Sequence, residues 1–344
     1  MDMYGVLKRY TEIPGPSGYE HRVQTEFASD LRAFAGEIET TNVGNVVAHF
    51  PGVGRKVVVF GHADEIGWYV LSITDEGFLR LSRGRSDRIG YPYCLVGQKA
   101  LVIGDDSDVR GCFVSTSGHV LNTREREQPL ESWNVLVDIG ASTKKEVEDL
   151  GIHVGSGVIW NPETEAMGKK VFGKAMDDRF AHTVMLSLAE LVQGAELSCD
   201  LFLASTVQEE IGLKGAQDLA RRQFDVSIAL DVGIAGDYPS LPKGRMPIKL
   251  GDGPVLVYRD GSIVYDIDTI REIRAVAEKH GIPYQHGIFE NYGSDSSVMM
   301  SGGARPNLVA TPTRYTHMPI EMMHMDDLEN TVKLLLRYVT ERRQ

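Results

Sequence analysis

The sequence predicts an α/β fold with a mainly parallel sheet and flanking helices, plus a small inserted β-barrel-like domain. Residues 201–207 (LFLASTV) and 226–230 (VSIAL) are continuous apolar runs, typical of strands buried on both faces of a parallel sheet. Between Trp68 and Trp160 the chain instead shows short strand-like runs divided by Gly and Asp turns. A length of 344 residues exceeds the usual size of one hydrophobic core. We therefore predict two domains.

The domain boundaries are predicted where this texture changes. Residues 1–67 and 165–344 are expected to form the α/β domain, and residues 68–164 the inserted β-rich domain. A β-branched run at residues 56–60 reads as a buried strand that ends at Gly61 and His62. Apolar spacing and Gly or Pro stops predict helices at residues 2–10, about 20–34, 179–191, 269–280 and 326–340.

Composition excludes several classes of partner and site. The 36 Lys and Arg against 48 Asp and Glu give a net charge of −12, which would repel nucleic acid and anionic membranes. Three cysteines without CxxC spacing exclude a disulfide framework and a cysteine zinc site, and suit a reducing compartment. No apolar stretch reaches the ~20 residues of a membrane span, and the first residues do not resemble a signal peptide. We expect a cytoplasmic protein.

An imidazole and a carboxylate follow the first buried strand. His62 and Asp64 flank Ala63, and in an extended chain their side chains point to the same side. One could then bind a metal while the other orients it. Taken alone, such a triplet is more often an ordinary surface turn with a hydrogen-bonded histidine.

Acidic residues recur at the ends of later elements. The pair Asp177 and Asp178 precedes a predicted helix, where an aspartate could simply cap the free N–H groups. A second pair, Glu209 and Glu210, follows one buried strand, and Asp231 follows the next. Carboxylates gathered in this way repel one another unless cations neutralise them or their pKa values rise.

A second imidazole, His317, lies in the loop PTRYTHMP. Two histidines with several carboxylates match the mixed nitrogen and oxygen ligands of paired zinc, cobalt or manganese ions. The sequence therefore favours a metal-assisted hydrolase. Its glycine-containing segments lack phosphate-loop spacing, and its serines do not lie in a GxSxG elbow. Asp295, in GSDS, could cap the next helix, whereas the family resemblance described below implies a position near the site.

These motifs resemble those of the dodecameric, tetrahedral di-metal aminopeptidases, a family that includes glutamyl and deblocking aminopeptidases and some members labelled endoglucanase. The matching stretches occur in the family's order along nearly the whole chain: IPGPSGYE, GHADEIG, GKAMDDR, TVQEEIGLKGA, ALDVG, GSDS and PTRYTH. The resemblance is weaker in the β-rich insertion, and residues 161–171 form a shorter connection than in the family.

The resemblance implies a role for each candidate residue. Asp177 would bridge two metals, with His62 and Asp231 completing the ligands of one metal and Glu210 and His317 those of the other. Glu209 would be the general base, taking a proton from the metal-bridging water and passing it to the leaving amine. Asp64 would hold His62 in the required tautomer.

The implied protein is an aminopeptidase that removes N-terminal residues from short peptides. It would use two divalent ions per subunit, zinc or cobalt, with manganese as a third option. Twelve subunits would enclose a chamber, assembled with the help of the β-rich domain. Three alternatives stay open: a metal-free endoglucanase, a di-metal deacylase of acylated amino acids, and a nonhydrolytic binding or scaffold homologue.

Overall fold

The computed structural model describes residues 1–82, 94–242 and 244–341. The described residues within Met1–Glu65, Thr164–Thr316 and Glu321–Gln344 form a first compact unit, and those within Ile66–Glu163 and His317–Ile320 form a second. Of the predicted inserted domain, residues 83–93 lie outside the described residues.

Helices and strands alternate through the first unit, whereas short strands dominate the second. The helices are α1 (Met3–Glu12), α2 (His21–Leu31), α3 (Thr123–Arg126), α4 (Lys144–Asp149), α5 (Met176–Leu191), α6 (Lys214–Leu219), α7 (Ile267–His280), α8 (Ser296–Met299) and α9 (Met325–Thr340). The strands are β1 (Glu37–Thr40), β2 (Val46–Phe50), β3 (Lys56–His62), β4 (Trp68–Ile73), β5 (Leu79–Leu81), β6 (Lys99–Ile103), β7 (Asp108–Val114), β8 (Leu136–Asp138), β9 (Gly157–Trp160), β10 (Glu165–Met167), β11 (Lys170–Gly173), β12 (Asp200–Thr206), β13 (Val226–Ile234), β14 (Val255–Arg259), β15 (Gln285–Ile288), β16 (Arg305–Thr313) and β17 (Glu321–His324).

The first unit is built on an eight-stranded sheet with the order β1-β2-β12-β3-β13-β16-β14-β15. Its four central strands β12, β3, β13 and β16 are parallel to one another. On either side, β2 pairs with β12 and β14 pairs with β16 in antiparallel orientation. Side chains along β3 and β13 are buried nearly throughout, as expected for strands covered on both faces. The predicted α/β class is confirmed.

The register brings Asp231 of β13 level with the last residues of β3 and β12. His62, the last residue of β3, pairs with Thr206, the last residue of β12. On the other side of β3, Ala229 pairs with Phe60, so Asp231 lies level with His62. The predicted site residues His62 and Asp231 therefore lie at the same level, near the carboxyl edge of the sheet.

One strand is longer than predicted. The sequence placed Asp231 after a strand ending at Leu230, but β13 continues to Ile234 because it pairs with β16 along its full length. Asp231 therefore lies within a strand, and the alternation of side chains along the strand fixes the direction of its carboxylate.

Helix α5 is buried on all sides. The sequence predicted one apolar face that included Leu191, but every residue from Met176 to Ala189 is buried, and Leu191 is 49% exposed. Helices α1 and α9 and the sheet all pack against α5. A helix enclosed in this way does not need a single apolar stripe.

The second unit contains a closed barrel with the order β4-β5-β8-β7-β6-β9. Trp68 packs edge-on against Phe113 and Trp160, with ring centroids 5.5 and 4.7 Å apart, and these rings belong to a separate apolar core. The predicted β-barrel-like character is confirmed. None of the helices in the described ranges combines the length and hydropathy that a membrane span needs.

Candidate active site

His62 lies at the centre of a buried cluster at the end of β3, with only 2% of its surface exposed. Its Nε2 atom is 3.0 Å from Oδ1 of Asp177, and its Nδ1 atom is 3.1 Å from the backbone carbonyl of Asp64. Its backbone N–H donates to Oδ2 of Asp178 at 3.0 Å. The imidazole is therefore held with Nε2 facing the carboxylates.

The pair Asp177 and Asp178 lies at the start of α5, and Asp178 does not cap the helix, because its Oδ2 accepts from His62 and its Oδ1 has no hydrogen bond among the described residues. Both have non-helical backbone angles at the start of α5, and the residue before that helix, Ala175, offers no side-chain cap. The N–H of Asp177 donates to Oε2 of Glu321 at 3.0 Å, while Asp178 accepts from His62. The irregular start of α5 thus turns both carboxylates toward the sheet edge.

Asp231 completes a three-residue group with His62 and Asp177. Ligand atoms of these three buried residues all lie within 4.8 Å of one another. Oδ1 of Asp231 also accepts the N–H of Val232 at 2.7 Å. This group is the set that the resemblance implied for one metal.

Glu209 and Glu210 lie in the turn after β12 and form a second group with His62, again within 4.8 Å. Their backbone N–H groups donate to Asp64, Glu209 to Oδ1 at 2.9 Å and Glu210 to Oδ2 at 3.1 Å. Asp64 is fully buried, and Ser17 also donates to its Oδ2, at 2.6 Å.

The sequence suggested that Asp64 orients His62, but its carboxylate also accepts hydrogen bonds from Ser17, Glu209 and Glu210. It lies 3.5 Å from Nδ1 of His62, farther than the Asp64 carbonyl, and its shorter contacts are with Ser17 and the two glutamate amides. Asp64 links the strand that carries His62 to the turn that carries Glu209.

His317 lies outside these two groups. It has a left-handed backbone (φ 61°) in the segment His317–Ile320, which belongs to the second compact unit. Arg314 and Met322 of the first unit exchange backbone hydrogen bonds on either side of this segment.

Burial and neighbouring charges raise the pKa values of two carboxyl groups in the cluster. Burial, aided by the charge of Asp177, raises the pKa of Asp231 to about 7. Desolvation raises the pKa of Glu209 well above its ordinary value, and the charges of Glu210 and Asp295 add to the rise against the opposing effect of His62. Burial lowers the pKa of His62, but hydrogen bonds to Asp177 and Asp64 outweigh it and raise that pKa.

The residues present fit a divalent cation. Buried Oδ1 atoms of Asp178 and Asp295 have no hydrogen-bond partner among the described residues, which is costly for acceptors removed from water. An imidazole nitrogen with several carboxylate oxygens is a donor set suited to zinc, cobalt or manganese. A cation would also neutralise charges that raise each other's pKa values.

The sequence did not reveal the contacts of several buried residues around the site. Asp295 does not cap α8; its Oδ2 accepts from Oγ1 of Thr206 at 2.5 Å. Nζ of Lys174 lies 2.8 Å from both carboxylate oxygens of Glu65. The motifs DEIG, GKAM and GSDS contain these residues, but no spacing rule reveals their contacts.

Comparisons with known proteins show the family to which the chain belongs. The family model for M42 glutamyl aminopeptidase matches residues 44–334. A lysyl aminopeptidase from Pyrococcus furiosus is 32% identical over 341 residues, covering 96% of this chain and 94% of that protein. Two solved structures of TET peptidases are each 30% identical to this chain. The TET aminopeptidase of a marine sediment Thaumarchaeota archaeon has a TM-score of 0.93, with 98% of this chain and 96% of that chain covered.

The Pyrococcus horikoshii TET1 peptidase, which can assemble into a tetrahedron or a large octahedral shell, has a TM-score of 0.89, with 99% of this chain and 100% of that chain covered. The family resemblance inferred from the motifs is thereby confirmed. A chain matched over most of its length in sequence and fold shares the family's reaction class, the hydrolysis of peptide bonds. This chain belongs to the M42 glutamyl aminopeptidase family.

Proposed function

We propose that this chain is a metal-dependent aminopeptidase that uses two divalent cations to remove N-terminal residues from short peptides. The observation that carries the proposal is the buried group of His62, Asp177 and Asp231, whose ligand atoms lie within 4.8 Å of one another. Glu209 and Glu210 form the adjoining group around the same imidazole. Such a cluster suits metal-assisted attack on an amide.

His62, Asp177 and Asp231 would hold the first cation. Glu210 would contribute to the second, with Asp177 shared between the two. His317 would be a further ligand of the second cation, as the resemblance implies. Zinc and cobalt suit this donor set best and manganese is compatible, since the ligand preferences of these ions overlap.

Two bound cations would polarise the scissile carbonyl and lower the pKa of a water molecule between them. Glu209 would accept the proton of that water and deliver it to the leaving amine. Its raised pKa suits a group that must both take and return a proton near neutral pH. Adjacent Glu210 has a different task, so the backbone must direct the two side chains differently.

The substrates would be peptides with a free N-terminus. The enzyme would act as a homo-oligomer. The lysyl aminopeptidase relative supports the substrate class, and a TET1 structure described as a dodecamer supports an assembly of twelve subunits. We propose a cytoplasmic location, in line with the cysteine usage.

The test is hydrolysis of a panel of free and N-acetylated aminoacyl and peptide substrates. Rates are compared before chelation, after chelation, and after readdition of zinc, cobalt or manganese. Cleavage of free N-termini that disappears on chelation and returns with metal is the expected result. Cleavage restricted to acylated substrates would replace the aminopeptidase with a deacylase, and activity that survives chelation would remove the metals.

A further inference from the structure

The turn that carries the proposed base is held by carboxylates on three successive backbone amides. In this 208–210 turn, the N–H of Gln208 donates to Oε1 of Glu20 at 3.0 Å. The N–H groups of Glu209 and Glu210 donate to the two oxygens of Asp64. Gln208 adopts a left-handed conformation (φ 55°), and successive amides around such a residue form a concave anion-binding nest.

Two residues of the loop between α1 and α2 complete this arrangement. Glu20 receives the N–H of Gly18 at 2.8 Å on the same oxygen that receives Gln208. Ser17 donates to Oδ2 of Asp64 at 2.6 Å, the oxygen that also receives Glu210. Ser17 and Glu20 are each 5% exposed, so solvent does not replace these bonds.

The loop that presents Ser17 is itself fixed to the sheet edge. The N–H of Gly15 donates to the side chain of Glu65, and the N–H of Glu65 donates to the carbonyl of Gly15, both at 3.0 Å. Beyond the loop, Nε2 of Gln24 donates to the carbonyl of Ser205, at the end of β12. The loop and helix α2 after it are thus hydrogen-bonded to Glu65, which follows β3, and to Ser205 in β12.

We infer that Ser17 and Glu20 are positioning residues that hold the 208–210 turn and so fix the directions in which Glu209 and Glu210 point. This inference rests on the proposed function. A proton-shuttling side chain must lie within hydrogen-bond reach of the reacting atoms, and its supporting residues set that geometry. Neither residue needs to touch substrate to have this effect.

The test combines steady-state kinetics with cation binding on Ser17→Ala, Glu20→Ala and Glu20→Gln. We expect kcat to fall ~10- to 100-fold in both alanine variants, the range typical for partners of metal-site residues, with KM changed less than about twofold. Calorimetric titration of zinc into the metal-stripped protein should show a dissociation constant ~10-fold weaker in both, because the turn also carries Glu210.

Conservative variants separate positioning from general destabilisation. Glu20→Gln keeps an oxygen that can accept from Gln208, and Ser17→Thr keeps a hydroxyl, so both should recover most of the lost kcat. The matched control is Ser198→Ala, which removes a hydroxyl that donates to the carbonyl of Val339 at 3.0 Å, before the opposite end of β12. Its kcat and zinc affinity should equal those of the wild type.

Three outcomes would overturn the inference: wild-type kcat and zinc affinity in the alanine variants, no recovery in Glu20→Gln or Ser17→Thr, or equal losses in Ser198→Ala. If an alanine variant does not fold, the comparison of Glu20→Gln and Ser17→Thr with the wild type decides, since both must be near normal. If the wild type cleaves no peptide, the proposed function fails, while zinc affinity still tests the support of the turn.

Discussion

His62 and Asp177 meet at 3.0 Å, Nε2 to Oδ1, although 115 positions separate them in the chain. One ends a central strand and the other lies in the irregular first turn of α5. The parallel sheet makes this meeting possible, because β3 delivers His62 to the edge against which α5 begins. A histidine and a buried carboxylate in direct contact could form a simple ion pair, but Asp231 and the glutamate pair extend it into groups that could hold a metal ion.

Replacing Asp177 should therefore remove metal rather than only slow the reaction. We expect Asp177→Ala to retain fewer than half of the wild-type metal ions after dialysis, since it deletes the carboxylate proposed to serve both cations. Inductively coupled plasma mass spectrometry of the purified protein measures this. Asp149→Ala, an exposed position on α4, is the control. Full metal content in Asp177→Ala would exclude Asp177 as a shared ligand.

The buried pair of Lys174 and Glu65 should be a large contributor to the stability of the first unit. Burial lowers the pKa of Lys174, although the charge of Glu65 opposes that shift. Lys174→Met leaves Glu65 without its closest cation, and we expect the free energy of unfolding to fall by ~3–5 kcal/mol in denaturant titrations. Arg179 also pairs with Glu65, at the longer distance of 3.5 Å, so the loss should lie toward the lower end of this range.

The double variant Lys174→Met with Glu65→Gln should recover part of this loss, because Glu65 then carries no buried charge that lacks Lys174. Additive losses from the two substitutions would show that the residues do not interact.

Acid should weaken the contact between Asp237 and Arg314, which lies beside the segment that holds His317. Burial tends to raise the pKa of Asp237, but the two-pronged hydrogen bond from Arg314 outweighs it and lowers that pKa below 3.8. The folded state then holds Asp237 charged more firmly than the unfolded state does. Its stabilising effect is complete above the unfolded pKa and is lost as the pH falls through the folded pKa.

Asp237→Asn should accordingly cost ~2 kcal/mol at pH 7, the scale of a hydrogen bond between charged groups. The difference from the wild type should shrink as the pH falls below about 4. Urea titrations at pH 7, 4 and 3 measure both quantities. A difference that stays constant down to pH 3 would mean that the Asp237 charge does not contribute.

Assembly is a separate prediction from chemistry. Sedimentation velocity at working concentration should show one species of about twelve chains if the proposed shell forms. A monomer would refute the shell and leave the metal site untouched, because the groups around His62 are complete within the first unit.

Much of the sheet edge could be predicted from the sequence, because each central strand is marked by its own continuous apolar run. The apolar run before His62 and the runs before Thr206 and Asp231 mark central strands, and parallel strands bring their carboxyl ends together. The ligand candidates His62, Asp177 and Asp231 follow from that rule together with the motif resemblance.

The supporting contacts were not predictable, because they join distant segments. Ser17 meets Asp64 across 47 positions, and Glu20 meets Gln208 across 188. The sequence allowed one of the pair Asp177 and Asp178 to cap the helix, because it does not reveal that Asp178 accepts the N–H of His62. Only the packed structure shows which carboxylates orient their neighbours and which face the site.

The most direct test of the central claim is Glu209→Gln, assayed for turnover and metal content in one preparation. The substitution keeps the shape of the side chain and removes its ability to accept a proton. We predict kcat ~100- to 10,000-fold below the wild type, the range of general-base catalysis, with both cations still bound. Wild-type turnover in Glu209→Gln would contradict the account, because the proposed base would then have no role in the reaction.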